Sequence, residues 1–218
     1  MAVRPLAHAL AAALITVAAS HPAAAQSPQT LKVPAFGTVT VYAPAREPSQ
    51  VVLFLSGDGG WNLGVVPMAQ RLRDEGALVV GIDIRVFMKS LATAAPCAYP
   101  AGALEELSRD VQLQFKLPAY KRPILVGYSS GATMAYAALA AAPPETFAGA
   151  LSLGFCPDIE IGAPLCQMRG LKATKRVTGI GVDLAPYAGS SVPWMVLQGQ
   201  VDQVCDPKGT AAFVASTG

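Results

Sequence analysis

Charge is scarce in this chain: Asp, Glu, Lys and Arg make up only 14% of its 218 residues, and no basic run exceeds the pair Lys121-Arg122. Nucleic-acid binding needs clustered cations along a phosphate backbone, so DNA and RNA are excluded as primary ligands. Histidine is scarcer still, and His8 and His21 both precede residue 26. None of the four cysteines stands in a C-x-x-C pair, which argues against a zinc site, and neither metal nor cofactor is expected. No apolar stretch approaches the roughly 20 residues that cross a bilayer. What is abundant is hydrophobic side chain, at 52%, enough to offset the ordering entropy of one folded domain.

Residues Met1 to Ala25 combine an early charge at Arg4, an apolar stretch from Ala9 to Ala19 and the small tripeptide Ala23-Ala24-Ala25. That pattern reads as a cleavable secretory signal, the alternative being an uncleaved anchor, and leaves residues 26–218 as the folded domain. Cys97, Cys156, Cys166 and Cys205 all lie in that exported part, where an even count predicts disulfides. The favoured pairing is Cys156 with Cys166, closing a short loop through Pro157 and Pro164, and Cys97 with Cys205.

Apolar runs alternate with helical patterns along the chain, the order that builds a mostly parallel sheet with helices on both faces. A hairpin is expected from Leu31 to Val33 and Val39 to Tyr42 around Gly37, and buried strands at Val51 to Leu55, Ala77 to Ile84, Pro123 to Val126, Ala148 to Leu153 and Trp194 to Leu197. Between them fall helices at Leu63 to Glu75, Ala103 to Phe115 and Ala132 to Ala142, with another at Thr210 to Ser216. The stretch from Cys156 to Pro193 lacks periodicity and reads as an insertion shaping a site.

Two motifs carry chemistry. Gly127-Tyr128-Ser129-Ser130-Gly131 stands between a short apolar strand and a helix, where a tight turn lifts a serine hydroxyl above the sheet edge. This is the nucleophile elbow of the α/β-hydrolase fold, and Ser129 is the expected nucleophile. Ser56-Gly57-Asp58-Gly59-Gly60-Trp61 follows the first central strand. A dinucleotide fingerprint is excluded there, because Asn62 occupies the third glycine position. The Ser130 N–H, with that of Asp58 or, as second choice, Gly59, is expected to form an oxyanion hole. Asp202, after the strand ending at Leu197, is the expected acid that orients a histidine, with Asp158 as runner-up. No histidine follows residue 25, and the chain ends sixteen residues beyond Asp202. The expectation is therefore that the last strand and the histidine loop lie beyond Gly218. A complete but catalytically dead chain, with an uncovered apolar edge strand, is the alternative.

With those residues in place the chain resembles the VirJ/AcvB family of bacterial virulence-associated periplasmic proteins. Leu55 to Trp61, Gly81-Ile82-Asp83, Val126 to Ala132, and Val196-Leu197-Gln198-Gly199 with Asp202 carry the resemblance. It implies a periplasmic α/β-hydrolase that cleaves the aminoacyl ester of lysyl-phosphatidylglycerol at the membrane surface, with Asp58, Trp61 and Tyr128 at the substrate and Asp58 facing its ammonium group. It also implies, as a rival role, an accessory of type IV secretion components. A general periplasmic carboxylesterase stays open beside both, since an elbow does not select its acyl group.

Overall fold

The computed structural model describes residues 27–62 and 64–218, so the expected signal segment lies outside the described residues. Strands β1 (Gln29–Val33) and β2 (Gly37–Tyr42) form the expected antiparallel hairpin. Then follow β3 (Gln50–Leu55), α1 (Val66–Asp74), β4 (Ala77–Ile82), α2 (Ile84–Leu91), α3 (Pro100–Gln114), β5 (Ile124–Tyr128), α4 (Ser130–Ala141) and β6 (Gly149–Leu153). The insertion carries β7 (Asp158–Ile159), β8 (Ala173–Lys175) and β9 (Val182–Leu184), and the chain closes with β10 (Trp194–Leu197) and α5 (Pro207–Ala215).

Seven strands make one sheet in the order β1-β2-β4-β3-β5-β6-β10, parallel at every pairing from β4 to β10. Strand β3 shows why these strands read as unbroken apolar runs. Its Val51, Leu53 and Leu55 enter the core shared with α2, α3 and α4, while Val52 and Phe54 enter the smaller core under α1. A parallel strand covered on both faces has no polar side to present. The direction of chain progression reverses beside β3, since β4 lies on one side of it and β5 on the other. In sheets of this kind the crevice at the carboxyl ends of those strands is where ligands bind.

Two expectations need correction here. The strand expected to reach Ile84 stops at Ile82, because Asp83 accepts the Arg85 N–H at 3.0 Å and starts α2. That helix was legible, since Ile84, Phe87, Met88 and Leu91 follow a helical spacing. The disulfides join Cys97 to Cys166 and Cys156 to Cys205, not Cys156 to Cys166. The reason is backbone pairing. Ala98 donates to the Pro164 carbonyl at 2.8 Å and Cys166 to the Ala98 carbonyl at 2.9 Å, which lays the insertion against the segment before α3. Phe155 meanwhile donates to Gln198 Oε1 at 2.9 Å and accepts from Thr210 Oγ1 at 2.9 Å, which carries Cys156 to the loop after β10.

The insertion is not irregular: β7, β9 and β8 form a small antiparallel sheet. It also explains α4, whose residues from Gly131 to Ala141 are all buried. A helix apolar on every side needs cover on every side. The main sheet and α3 cover part of it, and the insertion bonds to the rest, through Thr133 Oγ1 to the Cys156 carbonyl (2.7 Å), Tyr136 Oη to the Ala185 carbonyl (3.0 Å) and Gly170 N–H to the Ala140 carbonyl (3.0 Å). Tyr136, Phe155, Trp194 and Phe213 pack edge-on or tilted with ring centroids 4.4–6.1 Å apart and join α4, the start of the insertion, β10 and α5.

Burial pushes the Tyr136 hydroxyl from its ordinary value near 10 up to about 12. The folded protein therefore holds this proton more tightly than the unfolded chain, so its contribution is complete below pH 10 and is lost as pH rises towards 12. Urea unfolding across that window should show a steeper alkaline loss of stability in the wild type than in Tyr136→Phe. Equal slopes would place the ring in contact with water. The bond between Cys156 and Cys205 spans 49 residues, so chain entropy sets its worth at about 4 kcal/mol or somewhat less. The Cys156→Ala/Cys205→Ala variant should lose ~2–4 kcal/mol in non-reducing urea titrations. A loss well below 1 kcal/mol would mean that the 155–210 region is held by packing alone.

Candidate active site

The elbow is dictated by what cannot fit around it. A Cβ on Gly127 would overlap the Gly131 carbonyl, and one on Gly131 would overlap the carbonyls of Ser56 and Leu55. Strand β5, helix α4 and the end of β3 therefore touch through bare backbone, and the residue between them absorbs the reversal. Ser129 does so at φ 54°, ψ −124°, a conformation that costs a residue with a side chain roughly 1–3 kcal/mol. Its N–H donates to the Leu153 carbonyl at 2.8 Å, tying the elbow to the end of β6.

The Gly-rich turn leans on the elbow from the β3 side. A Cβ on Gly57 would sit 3.0 Å from Ser129 Cβ and 3.1 Å from Tyr128 Cδ1. The turn closes through Gly60 N–H to the Gly57 carbonyl at 2.8 Å, a bond that uses the N–H of neither Asp58 nor Gly59. Across the gap, Ala132 and Thr133 donate to the Ser129 carbonyl at 2.7 and 3.3 Å. The N–H groups of Ser130 and Gly131, in the first turn of α4, have no carbonyl one turn back within the helix. So Ser130 follows Ser129 at the positive end of α4, and Gly57, next to Asp58, leans on Ser129 from the β3 side. Among the described residues the Ser130 hydroxyl is buried without a hydrogen-bond partner.

Arg85 was not singled out by the sequence, yet it fixes the far side of the turn. Its guanidinium lies against Gly60, which sits at φ 77° where a Cβ would strike it, and pairs with Asp83 at 2.7 Å. Arg85 holds the Asp83 carboxyl below its ordinary range, helped by the Arg85 and Trp61 N–H groups. The resemblance placed Trp61 at the substrate. Its indole packs on Gly81 and edge-on to Phe54, and its N–H meets Tyr42 Oη at 3.2 Å, so it anchors the turn to the α1 face of the sheet. Asp58 and Tyr128 are both exposed beside the elbow.

On the β6 side, Asp202 Oδ1 accepts from Val204 N–H (2.8 Å) and Cys205 N–H (3.0 Å), and Oδ2 accepts from Gln198 Nε2 (2.9 Å). The Cys205 and Val204 amides hold its pKa below the ordinary carboxylate value, so it is ionised at neutral pH. Asp202 Oδ2 lies 3.9 Å from where a Gly154 Cβ would stand, at the exit of β6 one residue beyond the carbonyl that receives Ser129. Gln198 is the clamp, since its Oε1 accepts the Phe155 N–H while its Nε2 holds the acid. The resemblance pointed at this glutamine without giving it a role. Asp158, the runner-up, is engaged with Arg176 at 2.8 Å within the small sheet. No histidine occurs among the described residues.

The model of a family described as bacterial virulence protein (VirJ) matches residues 49–152. No curated protein matches the chain. Among solved structures, a putative dienelactone hydrolase from Klebsiella pneumoniae shares 15% identity at a TM-score of 0.55, over 88% of this chain and 80% of that one. The esterase domain of a Rhodothermus marinus protein shares 16% at a TM-score of 0.54, over 88% and 83%. A thermostable carboxyl esterase from Bacillus coagulans, 19% identical at a TM-score of 0.45 over 60% of this chain, is matched along only 45% of its own length. The likenesses to the first two structures show the α/β-hydrolase fold. The family match contains both the Gly-rich turn and the serine elbow, and over residues 49–152 the chain is similar to the family of the bacterial virulence protein VirJ.

Proposed function

We propose that the protein is a periplasmic serine hydrolase that opens the aminoacyl ester of lysyl-phosphatidylglycerol. The observation that carries the reading is the conformation of Ser129, held at φ 54° between Gly127 and Gly131 with Gly57 against its Cβ. Ser129 Oγ attacks the ester carbonyl and loses its proton to a base. The carbonyl oxygen becomes an oxyanion that the Ser130 and Asp58 amides stabilise, each contributing about 3 kcal/mol. The C–O bond to the glycerol headgroup then breaks, the departing oxygen takes a proton, and lysine remains esterified to Ser129. Water repeats the attack, releasing lysine and restoring the serine hydroxyl. Asp202, ionised and clamped, orients a histidine base, which the described residues do not supply. Two disulfides fit the oxidising periplasm. The exposed Asp58 carboxylate is the group that meets the substrate's ammonium.

The 218-residue chain should cleave p-nitrophenyl acetate at least ~10³-fold more slowly than a hydrolase with its triad complete. Added imidazole should raise that rate above the imidazole-only background, and Ser129→Ala should abolish the gain. Full activity without imidazole would overturn the histidine-based mechanism, and an equal gain in Ser129→Ala would overturn the nucleophile. For the substrate, lipid extracts of cells lacking the gene should show lysyl-phosphatidylglycerol accumulating relative to phosphatidylglycerol. An unchanged ratio removes the lipid assignment and leaves a general carboxylesterase or a secretion accessory. In the imidazole-supplemented reaction Asp58→Asn should reduce the preference for lysyl over alanyl lipid; an unchanged preference confines Asp58 to its backbone role.

A further inference from the structure

The hairpin joining β8 to β9 carries the most exposed large apolar side chain among the described residues. Its apex, Val177-Thr178-Gly179-Ile180, turns through Gly179 and Gly181 at φ 81° and 113°, closed by Arg176 N–H to the Gly181 carbonyl at 3.1 Å. A Cβ on Gly181 would overlap the Ile159 carbonyl, so this end is seated against β7, while nothing lies within 4 Å of the Cβ position of Gly179. At the apex Val177 is 101% exposed and Ile180 68%, and Met168 on the adjoining loop is 43% exposed. Turn tips favour Gly, Asn, Asp and Ser for conformational reasons, and a valine wholly in water adds nothing to folding. One exposed apolar residue would need no explanation, but two on one apex do.

Cations predominate along the strand leading into the hairpin: no acidic residue occurs from Ile161 to Val182, whereas Arg169, Lys172, Lys175 and Arg176 do, with Asp158 and the exposed Glu160 and Asp183 on or next to the neighbouring strands. Arg176 is engaged with Asp158 and Asp183. Arg169, Lys172 and Lys175 are exposed, and among the described residues none of them forms an ion pair. Behind the apex Ile180 also lines a cleft of about 610 Å³ with Ile161, Ala163, Pro164, Leu165 and Val182, so the apolar surface continues inward from the tip. The projection rests on a firm base. The Cys97–Cys166 bond and the Leu184 N–H to Pro157 carbonyl bond at 2.7 Å hold the two sides of the insertion.

We propose that this hairpin docks the protein on an anionic phospholipid bilayer, with Val177 and Ile180 entering the headgroup boundary and the unpaired Lys172 and Lys175 meeting the phosphates. An apolar apex backed by unpaired cations matches a surface that is negative at the headgroups and apolar just beneath. A nucleic acid would meet the same apex with phosphate, and an acidic protein would leave the apex in water unless it also offered a pocket. Docking holds whether or not Ser129 is a nucleophile, because the hairpin contributes nothing to the elbow.

The test is co-sedimentation of the protein with vesicles of phosphatidylglycerol and phosphatidylcholine, against vesicles of phosphatidylcholine alone. Partitioning should require the anionic lipid and weaken with salt. Lys172→Gln/Lys175→Gln should reduce the partition coefficient by about 25-fold, roughly fivefold per cation. Val177→Ser/Ile180→Ser should reduce it about tenfold at unchanged net charge, and Val177→Trp should show a blue-shifted emission on anionic vesicles alone. Thermal unfolding of each variant checks the fold, which these exposed side chains leave intact. Ser129→Ala should partition like the wild type, which separates docking from catalysis. Equal partitioning of both double variants and the wild type would overturn the proposal. So would binding to soluble polyglutamate with the same dependence on Val177 and Ile180, which would name an acidic protein instead.

Discussion

Three backbones meet around Ser129 with no side chain between them. The end of β3 touches Gly131, the end of β5 touches the first turn of α4 through Gly127, and Gly57 touches the Cβ of Ser129 itself. At Gly127 and Gly131 a methyl group would displace main chain, and at Gly57 it would press on Ser129 and Tyr128. Their common effect is that the backbone conformation of Ser129 is settled by sheet geometry, before any flexible side chain contributes. Such pre-positioning is what makes amide donors effective against developing charge, because they need no reorganisation as it appears. The strained φ at Ser129 is retained because the packing on three sides allows no alternative path.

The acid is held by a different kind of constraint. The loop after β10 has no such bare-backbone contact with β6, and Asp202 keeps its place through three hydrogen bonds and a disulfide. Gln198 connects the two sides of the gap, with one end on the Phe155 N–H and the other on the carboxylate. Cys156, next to Phe155, is bonded to Cys205, whose own N–H is on the carboxylate, so one covalent and one polar link span the same gap. Redundant links are needed because this is one edge of the sheet, where β10 has a neighbour on one side among the described residues and Met195 and Leu197 are exposed.

Legibility in the sequence followed the physics of each part. The central strands were readable because two-sided burial leaves runs such as Val51 to Leu55 without a polar residue, and the elbow because its glycines have no substitute. Helix α2 was missed although Asp83 and the Ile84-Phe87-Met88-Leu91 spacing were present, because the apolar strand before it runs straight into the cap. Strands of two or three residues, as in β7 to β9, are too short for any periodicity, so the insertion looked shapeless. The cysteine pairing was beyond reach for a related reason. It depends on the Ala98 and Leu165 bridge and on the Gln198 clamp, contacts between segments far apart in the chain. Trp61 sat in the most distinctive motif, yet its neighbour in space is Gly81, and a ring that fills the room left by a glycine cannot be recognised from one end alone.

Helix α4 links the two halves of the molecule. Its N-terminus supports Ser129, and its alanine-rich body is apolar on every side, so the elbow's helix is stable only where something covers the face turned away from the sheet. The insertion supplies that cover through the Cys156, Ala185 and Gly170 contacts, and the small sheet that grows from it leaves the β8–β9 hairpin facing outward. One segment therefore has an inner side selected for packing and an outer side free of that demand. On the inner side apolar residues such as Ile159, Leu171 and Leu184 are buried. On the outer side Val177 and Ile180 are equally apolar, and nothing among the described residues buries them. A segment kept for covering a helix would be free to carry polar residues at its apex; that it carries apolar ones, among unpaired cations, is an argument for a contact outside the chain.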